Sequence, residues 1–171
     1  SDLSYSNAAI YAALITAAEW AEARGDYARG AEWRQTARRM KEVLLTRLWN
    51  GSYIARGIRE HGEIDWSVDS SMLGLFDPFA LLSLNVPEEC HMVERMVRVI
   101  RERLGKHLQD GEAIVRHEGD DYVEGSAGGV NTLWLARVLL KLANHYAESN
   151  TGVAVEYRAQ AERYMRVVIA R

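Results

Sequence analysis

The chain of 171 residues has one cysteine, two prolines and two phenylalanines. The single cysteine, Cys90, excludes an internal disulfide and a cysteine-based zinc site, and it points to a reducing compartment. No apolar run reaches the roughly 18 residues that a membrane span needs, and no basic stretch followed by an apolar one opens the chain. The expectation is therefore a soluble, cytoplasmic protein with no membrane contact. The five histidines are scattered, with none at His-x3-His spacing, so no metal is assigned. A nucleophile elbow, a P-loop and a dinucleotide fingerprint are all missing, so no cofactor is expected either. The 21 basic and 24 acidic side chains, net −3, are intermixed along the chain. Nucleic-acid binding needs a clustered positive face, which this distribution does not supply.

What the chain does have is length, helical periodicity and an unusual set of aromatics. A domain of this size buries roughly 70% of its unfolded surface, so residues 1–171 suffice for one core. Eight tyrosines and five tryptophans suit either thick helix packing or a sugar-binding surface. Residues 6–24 bring Tyr11, Leu14, Ile15 and Ala18 to one helical face, and Gly25 can take the positive φ that ends such a helix. Asp26 caps a second helix, 27–49, with Ala37, Met40, Val43, Leu44 and Leu48 inward and Asn50-Gly51 as its stop.

Residues 52–66 are too polar for a core and too long for a tight turn, and they read as an excursion with room for a short β-ribbon. A third helix is expected over 68–84, kinked or split near Asp77 because Pro78 lacks an amide donor. The fourth starts at Pro87 with Glu88 and Glu89 on its dipole and carries Val93, Met96, Val97, Ile100 and Leu104 to a stop at Gly105. Asp110-Gly111 marks a turn, and Ala113-Ile114-Val115 fits one strand. A fifth helix, 130–148, is apolar on several faces and is expected to be the most buried, and a sixth spans 153–170. The fold class is all-α: three consecutive αα-hairpins, short connections on one side and long ones on the other. That is the layout of part of an α/α toroid whose function sits on the loop rim.

Residues 114–136 stand apart from this scaffold. Within them, Arg116-His117-Glu118-Gly119-Asp120-Asp121-Tyr122, followed by Thr132-Leu133-Trp134-Leu135-Ala136, resembles a signature of the glucoamylase-type inverting glycoside hydrolases. These are the family fifteen glucan glucosidases with an (α/α)6 barrel, whose segment reads Arg-Tyr-x-x-Asp-x-Tyr. Val68-Asp69-Ser70-Ser71-Met72-Leu73-Gly74-Leu75 with Pro78-Phe79 is a second match. Ser4-Tyr5-Ser6-Asn7-Ala8 is similar to the stretch just after the family's Trp-Glu general-acid motif. Inverting hydrolysis needs two carboxyl groups about 6.5–9.5 Å apart, and the resemblance puts both outside this chain, before Ser1 and beyond Arg171. It thus implies a half-barrel that binds α-linked glucan through Arg116, Asp120 and Tyr122, with no catalytic residue of its own and no turnover. Departures are His117 in place of tyrosine and Gly125-Ser126-Ala127-Gly128 in place of Gly-Asn-Pro-Trp, so Gly128 stands where a stacking tryptophan is expected.

Each candidate has a plainer reading beside it. The Arg116 fork suits paired hydroxyl oxygens and equally suits an ion pair with Asp120 or Asp121. Asp120 and Tyr122 can bond within their own loop. Glu118, Asp121 and Glu124 read as solvated carboxylates rather than a replacement acid and base. Asp69 reads as the cap of the third helix, and Trp66 as packed on its own loop rather than as a sugar platform. Uncovered helix faces on a half-barrel imply a homodimer. The alternative reading is a non-catalytic helical-repeat module that binds a protein or peptide, marked by an apolar groove along its helices.

Overall fold

A computed structural model of the chain describes residues 2–109, 111–120 and 128–169. The fold is all-α, with two small antiparallel sheets in the long loops. Helix α1 (Ser4–Ala23) packs on α2 (Tyr27–Arg47), and α4 (Gly129–Tyr146) packs on α5 (Thr151–Ile169), each pair joined by a short turn. At the first turn Gly25 adopts φ 84° and the Asp26 carboxylate accepts the Arg29 amide at 3.2 Å, as the sequence predicts. Between the hairpins lies α3 (Pro87–Leu104), with Val93, Met96, Val97, Ile100 and Leu104 all buried. Each such side chain contributes roughly 1.5–3 kcal/mol by leaving water. That one apolar stripe holds α3 against the rest of the core.

The segment ahead of α3 departs from the expectation. Instead of a third long helix it forms a 3-10 helix (Ser70–Leu75) and then a compact turn through a cis Asp77-Pro78 peptide. In an α-helix Pro78 could give no amide to the Gly74 carbonyl and its ring would strike it. The amides of Phe79 and Leu82 bond to the carbonyls of Gly74 and Leu75 instead. Met72, Leu73, Leu75, Leu81 and Leu82 are buried, so the apolar pattern belongs to a loop folded inward rather than to a helix. The middle helical pair of the expected three is thus this turn together with α3. Asp77 anchors the turn to α4. Its carboxylate, 3% exposed, takes Lys141 Nζ at 2.7 Å on one oxygen and has Arg137 Nε at 2.7 Å from the other. Its carbonyl accepts the Trp134 indole at 2.8 Å.

Two smaller differences concern helix faces. Val43, read as inward on α2, is 51% exposed, while Ala37, Leu44 and Leu48 are buried as expected. Helix α4 is buried through Leu135, Val138, Leu139 and Leu142, while Val130 and Leu133 lie exposed, so it is not covered on all sides. It starts at Gly129 without a side-chain cap, and the Thr132 hydroxyl accepts the Ile114 amide at 3.2 Å.

The β-ribbon in residues 52–66 forms as β2 (Gly57–Ile58) and β3 (Ile64–Asp65), and β1 (Asp2–Leu3) adds to it in the order β1-β2-β3. The strand expected near Ile114 is β5 (Gly111–Ile114), paired with β4 (Gly105–Leu108) directly after α3. The two long loops meet. Asp69 pairs with His117 as an isolated bridge, Ser70 N donates to Arg116 O at 2.8 Å, and Glu118 N donates to Val68 O at 2.9 Å. Among the described residues no helix is long and apolar enough to cross a membrane.

Candidate functional site

Where the long loops meet the start of α1 and the first turns of α4, the surface opens into a cavity of about 420 Å³. One wall is aromatic. Tyr5, in the first turn of α1, packs edge-on against Phe79 (ring centres 5.0 Å apart) and Trp134 (6.1 Å). Gly74 lies so close beneath that a Cβ there would sit 2.8 Å from the Tyr5 ring. This is why the 3-10 helix carries glycine at that position.

The other wall is polar and comes from the joined loops. Asp69 caps the 3-10 helix, as its sequence position predicts: Oδ1 accepts Ser71 N at 2.8 Å. Its other oxygen holds Arg56 Nε at 3.0 Å, a pairing that periodicity had no means to reveal. The Arg56 backbone is fixed on both sides, donating to Asp65 O and accepting from Ser4 N, both at 2.9 Å. Arg116 reaches the same cavity with its backbone carbonyl bound to Ser70. Its guanidinium pairs with Asp120 Oδ1 at 2.8 Å, and the Asp120 side chain is only 5% exposed. The ion pair weighed for Arg116 is therefore present, and half of the arginine side chain remains open to solvent. His117 lines the cavity beside it, with Nδ1 2.8 Å from Glu118 O.

Glu118 is not a solvated loop carboxylate. It accepts Val68 N at 2.7 Å and Arg103 Nε at 2.6 Å, and Arg103 continues to the Tyr53 hydroxyl at 3.1 Å. Tyr53 in turn donates to Trp66 O at 2.8 Å and packs edge-on to the Trp66 ring. Trp66 thus sits on its own loop, as its plainer reading has it. Tyr122 lies outside the described residues, as do Asp121, Glu124 and residues 125–127. Gly128 donates its amide to Ile114 O at 3.0 Å and leads into α4.

No family model matches the chain, and no curated protein matches it. The site therefore rests on its own geometry. Of the candidate binding residues, the described pair Arg116 and Asp120 come together as one ion pair at the cavity edge, and Tyr5, Arg56 and Trp134 join them there without having been singled out as site residues. Arg56 gave no signal because it stands in a polar stretch without period. Among the described residues no group of three or more His, Cys, Asp or Glu side chains is placed to hold a metal ion.

Proposed function

We propose that this chain is the central segment of a glucoamylase-like inverting glycoside hydrolase acting on α-linked glucans, and that the rim cavity forms part of the wall that holds the sugar. One observation carries this reading. The three separate stretches on which the resemblance rests all contribute to the same cavity: Tyr5 from the first, Asp69 and Ser70 from the second, Arg116 and Trp134 from the third. Chance matches scattered along a chain have no reason to converge. The chemistry fits as well, since aromatic rings pack on the C–H face of a sugar and a guanidinium fork suits neighbouring hydroxyls. Two hairpins with their long loops gathered at one end also suit part of an α/α toroid, the architecture we propose for the parent domain.

Asp69 and Asp120 are each engaged with an arginine, which suits positioning the wall, and we assign neither as acid or base. The chain is expected to bind maltose without turning it over. In calorimetry Arg116→Ala should weaken maltose binding about tenfold, the loss of one charge-assisted contact. Release of glucose from maltooligosaccharides that Arg116→Ala abolishes would overturn the claim that the chain is inactive by itself.

A second reading, a helical module that binds a protein or a second copy of itself, is favoured by one feature. An apolar groove of about 360 Å³ runs along α2 past Met40, Val43 and Leu44 to Ile58, with Arg39 and Arg47 among its lining residues. Light scattering decides the self-association part: a dimer at micromolar concentration that Val43→Glu dissociates supports it, and a monomer refutes it.

A further inference from the structure

We propose that Tyr5 and Arg56 are themselves sugar-binding residues of the rim cavity, Tyr5 as the ring on which the apolar face of a sugar lies and Arg56 as a hydrogen-bonding fork in addition to Arg116. The inference rests on the sugar-binding reading and assigns it two residues that the resemblance leaves without a role.

Tyr5 is 36% exposed although it is wedged between Phe79 and Trp134 with Gly74 beneath. A ring already locked by its neighbours loses little freedom when a ligand lands on it, so its contact is gained at low entropic cost. Its hydroxyl has no hydrogen-bond partner among the described residues, and the ring lines the cavity together with Arg56, Asp69 and Arg116. Arg56 shows the same combination of rigidity and unused capacity. Its backbone is bound at both its amide and its carbonyl. The Nε is held at 3.0 Å by Asp69, itself only 6% exposed. The two terminal nitrogens have no hydrogen-bond partner among the described residues, which leaves up to four N–H groups for a ligand. A fork fixed at its base with free tips is arranged for paired oxygens, and the buried carboxylate offsets its charge so that neutral hydroxyls suit it.

The test uses the full chain with maltose. NMR of the wild type should show NOEs between the Tyr5 ring protons and maltose, and their absence overturns the role of Tyr5 without any variant. In calorimetry Tyr5→Leu and Arg56→Lys should each weaken maltose about five- to tenfold, the worth of one ring contact or one fork, while Tyr5→Phe retains the NOEs and most of the affinity. Arg56→Lys keeps a cation on Asp69, so its loss reports the missing fork rather than an orphaned carboxylate. Unchanged affinity in Tyr5→Leu and Arg56→Lys, with Arg116→Ala still defective, overturns this inference and leaves the proposed function standing. Failure of maltose to bind the wild type overturns both.

Discussion

Asp69 holds two structures at once: it caps the 3-10 helix through the Ser71 amide and it anchors Arg56 at the cavity. Only the first of these roles is local, so only the first could be read from an aspartate ahead of two serines. Gly74 is similar, since its importance lies in the Tyr5 and Trp134 rings that crowd it, at 2.8 and 3.3 Å from where a Cβ would stand. Both rings are pinned by other aromatics or by hydrogen bonds, so they have little room to yield. Gly74→Ala is therefore expected to cost roughly 1–3 kcal/mol through overpacking, read as a lower melting temperature. Because the strain falls on Tyr5, maltose affinity should drop with it, whereas a glycine replaced at the exposed α1–α2 turn would alter stability alone.

Among the elements, α3 joins the two halves of the core, and its polar edge is as specific as its apolar stripe. Glu94 on α3 accepts the hydroxyls of Tyr146 on α4 at 3.0 Å and Tyr157 on α5 at 2.9 Å. Burial first, and then the bond to Cys90 and the Glu94 carboxylate, push the Tyr146 hydroxyl well above its ordinary 10.0. Burial followed by Glu94 does the same for Tyr157. A raised folded-state value favours the protonated hydroxyl, so the associated stability is fully present below 10.0 and is lost as pH rises through the folded-state values. Tyrosinate absorbance should accordingly show these two rings titrating only as the fold opens, and Tyr146→Phe with Tyr157→Phe should flatten the alkaline loss of stability. A titration in which all tyrosines ionise near their ordinary value in the folded protein would refute this. At this scale the amphipathic helices were legible because each presents one stripe with a 3.6-residue period. The stretch 68–84 was legible only as far as the break at Pro78, because buried loop residues and a helix face carry the same apolar pattern.

In the whole molecule the site exists only because two loops distant in sequence are tied together. Backbone bonds between residues 68–70 and 116–118 begin that tie, and the Glu118 side chain reinforces it, bonding Val68 N on one loop and Arg103 at the end of α3, which carries the link on to Tyr53. Glu118 does not line the cavity, so its effect on a ligand runs through position alone. Glu118→Ala is expected to cost about 1–3 kcal/mol, the penalty for orphaning a partly buried amide and breaking a charge-assisted bond. It should also weaken maltose severalfold, whereas Glu118→Gln, which still accepts the Val68 amide, should recover part of both. Equal melting temperatures and affinities for Glu118→Ala and the wild type would show that the loops hold together without it.

By itself the sequence determined the helical class, the two outer hairpins, the limits of α3 and the caps at Asp26 and Asp69. These follow from interactions within a few residues: hydrophobic period, capping side chains and glycine at a positive φ. Only the tertiary structure decided that residues 68–84 fold as a turn, that Arg56 joins the cavity on the Asp69 carboxylate, and that Glu118 reaches Val68 and Arg103. Those outcomes depend on contacts between segments far apart in the chain, and neither periodicity nor composition carries information about which distant carboxylate a given arginine will meet.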